Sequence, residues 1–118
     1  MSYINFNKII KVSGINPIIN KEDAITTLKS FYDDLTFDVS SDNILRDYRP
    51  QRFFKAGRVI TVIFHENDVY FHKITLGKGD RMYPINGPID YLKTKDIAAH
   101  FLHLQETRQK ETSLPSLT

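Results

Sequence analysis

An α+β fold is what this 118-residue sequence predicts: N-terminal helices, an antiparallel meander of about four strands, and a C-terminal helix. Three observations carry that expectation. Residues 21–36 repeat apolar side chains at helical spacing, with Ala24, Ile25, Leu28, Phe31, Tyr32 and Leu35 on one face and Glu22, Asp23, Thr26, Ser30 and Asp33 on the other. Residues 58–65 and 69–76 are rich in β-branched and aromatic residues and are separated by a polar turn at Glu66–Asp68. Residues 95–108 return to helical spacing, with Ile97, Phe101 and Leu104 directed inward.

Residues 3–13 fit two periods. Ile4, Phe6, Ile10 and Val12 alternate as in a strand, whereas Tyr3, Phe6, Ile9 and Ile10 share a helical face. Gly14, followed by Ile15 and Pro17, reads as a helix C-cap and favours the helix. Asn20 is the expected cap of the next helix, with Asp23 three positions on. Residues 43–48 read as a short helical turn after Ser41 and Asp42, stopped by Pro50. In the meander, Gln51–Lys55 is a short strand, Ala56–Gly57 a tight turn, and Gly77 to Asp80 a further turn into a strand at 81–85. Asn86-Gly87-Pro88 ends the meander and Thr94 caps the last helix. The expected organisation is one domain over 1–108 and a flexible tail over 109–118. Both faces of the central hairpin carry apolar residues, so either helices cover both or one face is an interaction surface.

Composition narrows the chemistry. Cys is absent, which removes thiol catalysis, disulfides and thiolate metal sites and fits a cytoplasmic protein. No apolar run has the length of a membrane span, and the N-terminal residues lack the pattern of a signal peptide, so no membrane partner is expected. The net charge of +2 is unevenly spread. Residues 1–45 carry four lysines against six acids, whereas residues 46–95 carry ten Lys or Arg against five acids. A basic middle points to a polyanionic partner.

That charge concentrates in residues 46–58, where Arg46, Arg49, Arg52, Lys55 and Arg58 alternate with Tyr48, Phe53 and Phe54. Cations beside aromatic rings suit phosphates and unstacked bases. Arg46, Arg49, Arg52, Phe53, Lys55, Arg58, Lys73 and Arg81 are therefore the candidate nucleic-acid contacts. The leading expectation is a small non-enzymatic nucleic-acid-binding protein. The alternative is a protein-binding module (an inhibitor, immunity protein or adaptor) that uses the second face of the meander. No cofactor and no metal site are expected. His65 and His72 stand on paired strands and His100 and His103 one helical turn apart, but His100 and His103 fall off the apolar stripe. Asp33, Asp34, Asp38 and Asp42 read as a solvated acidic face rather than a catalytic pair. Gly77-Lys-Gly is too short for a phosphate loop.

Two resemblances bear on function. The run RFFKAGRVITVIFHENDVYFHKITLGKGDRMY over residues 52–83 is similar to the closing strands of RelE-type ribosome-dependent ribonuclease toxins. That resemblance implies Arg81 and Tyr83 as RNA-contacting or catalytic residues, supported by Arg52, Lys55 and Arg58. The residues after Tyr83 depart from the short ending of that family. Separately, Tyr83-Pro84 followed by Pro88 resembles the turn of RWD and ubiquitin-conjugating-like folds. Without a Cys, that resemblance implies a non-catalytic, protein-binding member.

Overall fold

The computed structural model describes residues 9–77, 79 and 87–113. Five strands and two helices follow in the order β1 (Ile10–Ser13), α1 (Pro17–Phe31), β2 (Phe37–Ser40), β3 (Ile44–Arg49), β4 (Gly57–His65), β5 (Asp68–Leu76) and α2 (Gly87–Ser113). The strands form one antiparallel sheet of order β1-β5-β4-β3-β2. The class is α+β as expected, with five strands where about four were anticipated.

Strand β1 corrects the helix expected over 3–13, of which residues 3–8 lie outside the described residues. Ile10 and Val12 alternate inward and pair with Phe71 and Val69 of β5, so the period of two prevails. Helix α1 begins four residues before its expected start. Asn16 is the cap, its Oδ1 accepting the Ile19 N–H at 2.9 Å, and Pro17 opens the helix rather than ending one. A proline is tolerated there because a first-turn N–H has no helical partner to lose. The helix stops at Phe31, where Tyr32 turns extended (φ −137°, ψ 134°), which frees the chain to form β2. The helical turn expected over 43–48 is strand β3, paired with β4 from Ile44↔Ile63 to Arg49↔Arg58. Strand β2 has only four residues and a bulge between Phe37 and Val39, too short and irregular to announce itself.

Strands β4 and β5 match expectation to within one residue. Gly57 opens β4 instead of sitting in a turn: a Cβ there would lie 2.4 Å from the Arg49 carbonyl oxygen, so only glycine fits the approach. The strand expected over 51–55 reduces to a single bridge between Arg52 and Lys55. The strand expected over 81–85 lies outside the described residues. Helix α2 starts at Gly87, well ahead of 95, with Pro88 in its first turn. Thr94, the expected cap, is buried inside it and donates its hydroxyl to the Asp90 carbonyl at 2.7 Å. Residues 109–113 of the expected tail belong to the helix. No helix among the described residues is long and apolar enough to cross a membrane.

Both helices lie on the same face of the sheet. Ala24 and Leu28 of α1, and Ile97, Ala98 and Phe101 of α2, join Val12, Leu45, Ile60, Val62, Phe64, Val69 and Phe71 in one core. Phe71 and Phe101 meet edge to face at 5.2 Å between ring centroids. A buried polar seam closes one end of this layer. Asn20, fully buried, accepts the Ile15 N–H at 3.0 Å and donates to the Asn67 carbonyl at 3.0 Å. Gln105 of α2 accepts the same Ile15 N–H at 2.7 Å and donates to Asp23 at 2.6 Å, and Arg108 donates to Asp23 at 2.9 and 3.0 Å. Thus α1, α2 and the β4–β5 turn are tied together by groups that would each be costly to leave unpaired. This seam also explains why Asp23 is buried rather than on the polar face of α1.

Gly14 runs against it so closely that a Cβ would lie 2.1 Å from the Asn20 Oδ1. Gly14→Ala is therefore expected to lower stability by about 1–3 kcal/mol, the usual range for overpacking. In an Asn20→Ala background the same change should cost much less. Urea unfolding of the four members of that cycle measures the coupling.

Candidate nucleic-acid interface

The register of the sheet sorts the basic residues into different environments. Arg49, Arg58 and Thr75 lie side by side across β3, β4 and β5 on the face that carries the helices. Two rungs inward stand Asp47 and Lys73, on either side of Ile60. This end of the helix-covered layer is polar, whereas the rungs beyond it are apolar.

Arg58 is the centre of that end. Its side chain is 5% exposed. Its Nε donates to Asp47 at 2.8 Å and its NH2 nitrogen to Asp34 at 2.8 Å, while the guanidinium carbon lies 4.4 Å from the centre of the Tyr32 ring. Asp47, fully enclosed, uses its other oxygen to accept the Thr36 N–H at 2.8 Å. Burial opposes the charge on Arg58, but the two carboxylates outweigh it and hold its pKa above the ordinary value. The Arg58 hydrogen bond, seconded by Arg49, holds the Asp34 carboxyl at about 2, below its usual 3.8. Burial pushes the Tyr32 hydroxyl upward, against the pull of Arg58. Among the candidate contacts, then, Arg58 faces into the fold and its guanidinium is engaged on two sides by the protein's own carboxylates.

Lys73 is likewise turned inward. It donates to Asp90 at 2.8 Å, and Asp90 also accepts the Thr75 hydroxyl at 2.6 Å and the Thr75 N–H at 2.8 Å, fastening the first turn of α2 to β5. Arg49 is half-buried, paired with Asp34 and donating to the Ala56 carbonyl at 3.2 Å. Arg46 points to the opposite, helix-free face and pairs with Asp38, at 2.9 Å from its Nε; that hydrogen bond lowers the Asp38 pKa. Arg81 lies outside the described residues, as do Tyr83 and Pro84. Asp34 and Asp38, which the sequence suggested were solvated, are the partners of the basic stretch. The signal that could have revealed this was the opposite sign of the two neighbouring charge blocks.

What remains outward is the tip of the β3–β4 hairpin. Arg52 and Lys55 close it with two backbone hydrogen bonds, Arg52 N–H to the Lys55 carbonyl at 3.0 Å and Lys55 N–H to the Arg52 carbonyl at 2.7 Å. Phe53 and Phe54 stand between them, 94% and 105% exposed. Phe53 has φ 50°, a left-handed conformation that disfavours a side chain, and Gln51 donates to its carbonyl at 2.9 Å. Beside the tip runs an open groove of about 330 Å³ lined by Tyr48, Arg49, Pro50, Arg52 and Lys55, with Thr36 and Asp34 at its base. Four outward groups, two cations and two rings, thus sit together above a groove whose remaining charges are already neutralised.

The histidines do not converge. His72 pairs with Thr61 and His65 with Asp68, four rungs apart on the helix-free face, and His100 rests edge-on against Phe31 at 5.7 Å. Among the described residues no three metal-ligating side chains form a group.

No family model, curated protein or solved structure matches the chain.

Removal of Arg58 would strand Asp47 in the interior. Arg58→Ala is expected to cost about 3–5 kcal/mol, as for other buried pairs broken on one side. Asp34→Ala, at the half-exposed end of the same network, should cost about 1 kcal/mol or less; chemical denaturation of both variants gives the comparison. The acid limb adds a further check. Because the folded-state pKa of Asp34 is depressed, its contribution is complete above the ordinary carboxylate range and is lost as pH falls toward about 2. Asp34→Asn should lower stability at neutral pH by about 1 kcal/mol or less and flatten its fall over that window, so that the variant and the wild type converge in acid, read from unfolding midpoints against pH.

Proposed function

We propose that the protein is a non-enzymatic binding protein that takes single-stranded nucleic acid at the tip of the β3–β4 hairpin. The observation that carries this reading is the pair of bare rings, Phe53 and Phe54, held between Arg52 and Lys55. Exposing two phenylalanines to water is unfavourable for the free protein, and the positive φ of Phe53 adds strain at the same point. An aromatic ring on which a base can stack, flanked by a cation that meets the adjoining phosphate, is the arrangement used for unpaired strands. The contacts assigned are Arg52, Phe53, Phe54 and Lys55; Arg46 and Arg49, paired with Asp38 and Asp34, and the inward Arg58 and Lys73 support the hairpin instead.

Fluorescence anisotropy with labelled single-stranded RNA, single-stranded DNA and duplex DNA tests the reading. Binding should favour the single strands. With two outward cations, the logarithm of affinity should fall against the logarithm of salt with a slope of about −1.4. Phe53→Ala and Phe54→Ala should each weaken binding by about 1–3 kcal/mol, roughly 5- to 150-fold, with the fold intact. An absence of binding at low salt, or binding indifferent to both rings, would contradict it.

A second reading rests on a separate surface. Because both helices among the described residues occupy one face of the sheet, the other face, with Ile44, Tyr48, Val59, Ile63, Tyr70 and Ile74, carries no helix among those residues, and it suits a protein-binding module.

A further inference from the structure

The helix-free face is ordered in rows. Ile44, Ile63 and Tyr70 form one, Arg46, Thr61 and His72 the next, and Tyr48, Val59 and Ile74 the third. Ile63, at the centre of the first row, is 38% exposed. An apolar row therefore lies on each side of a polar one. The charges sit at the two edges. At the β1 edge Lys11, paired in register with Tyr70, extends over this face and lies 3.6 Å from Asp68. At the β2 edge Asp38 holds Arg46. The four charges sum to zero, so the face offers nothing to a polyanion. The distribution is nevertheless directional: a lysine borders one side and a carboxylate the other.

We infer that this face is the interface of a homodimer, two copies of the chain packed sheet to sheet about a two-fold axis parallel to β4. The inference rests on the second reading above and commits it to one occupant. Such an axis lays β3 of one copy over β5 of the other and β2 over β1. Ile63 meets Ile63, Ile44 meets Tyr70, and Tyr48 meets Ile74. A hollow of about 320 Å³ between Arg46, Tyr48, Val59 and Leu76 receives the Ile74 side chain of the second copy. Arg46, already held by Asp38, faces His72. Each Lys11 then stands above the acidic edge of the other copy, two rungs or about 7 Å along the strand from the level of Asp38. A lysine side chain spans that offset. A two-fold operation exchanges the edges, so the complementarity is used twice, as a symmetric interface requires.

Sedimentation velocity of the full chain, from low micromolar to near millimolar concentration, reads the association. The mass should rise from one copy to two, and Ile63→Asp should hold it at one copy with an unchanged circular dichroism spectrum and melting curve. Lys11→Glu and Asp38→Lys should each weaken self-association at least tenfold, and an equimolar mixture of the two folded variants should recover it, since each then meets its opposite. A single copy at every concentration overturns the dimer, and failure of the mixture to recover overturns this axis. Binding of the dye 1-anilinonaphthalene-8-sulfonate separates a self-associating face from one that takes another protein. Dye taken up by a monomeric wild type and lost in Ile63→Asp would overturn self-association while leaving the face as a surface for another protein. No dye binding and no association would overturn both.

Discussion

The Arg58 guanidinium is a cation placed where the fold has no water to give it. It is kept there by Asp47 and Asp34 in the plane of its donors and by the Tyr32 ring across its face. Those partners come from the end of α1, the turn beyond it, and β3, so one side chain on β4 fixes the meeting of three segments. Asp47 in turn accepts the Thr36 N–H and sets the chain on course for β2. A hydrophobic replacement could pack in the same volume without the desolvation penalty. What the ion pairs add is direction: they determine which way the β3–β4 hairpin leaves the sheet.

That constraint divides the basic residues between two tasks. Arg58 and Lys73 are spent inside, and Arg46 and Arg49 are balanced by Asp38 and Asp34. The acidic block in the first third of the chain and the basic block in the middle neutralise each other across the fold. The imbalance that pointed to a polyanion survives at a much smaller scale, in Arg52 and Lys55 beside two bare rings. The hairpin tip and the helix-free face both present apolar groups to water, and they differ in charge. The tip is cationic and convex; the face is neutral, broad and bordered by opposite charges. They accordingly suit different partners.

The parts of the fold legible in the sequence are those in which burial and hydrophobicity coincide. β4 and β5 were evident because most of their inward residues (Ile60, Val62, Phe64, Val69 and Phe71) are Ile, Val or Phe. β3 was hidden because one of its two fully buried inward residues is Asp47, and a buried acid breaks the apolar alternation that marks a strand. The start of α1 was misplaced because Asn16 and Asn20 are both competent caps; Pro17 decides between them by fitting a first turn better than a terminus. Gly87-Pro88 misled in the same way at α2. The basic-aromatic stretch was visible as composition, but which cations face outward depends on the Arg49↔Arg58 register and on carboxylates up to 24 positions away in sequence, Asp34 from Arg58 among them. Local pattern carries no information on that pairing.

The arginine-rich hairpin is anchored at its base by Asp34 and Asp47, and on the proposed reading it binds by its tip. Hydrogen exchange read by mass spectrometry, with and without a single-stranded oligonucleotide, tests it most directly. Exchange should be slow from Arg58 to Phe64 in both states, with ligand-dependent protection confined to residues 51–56. Fast exchange around Arg58 in the free protein, or an oligonucleotide that protects the strands and leaves 51–56 unchanged, would contradict it.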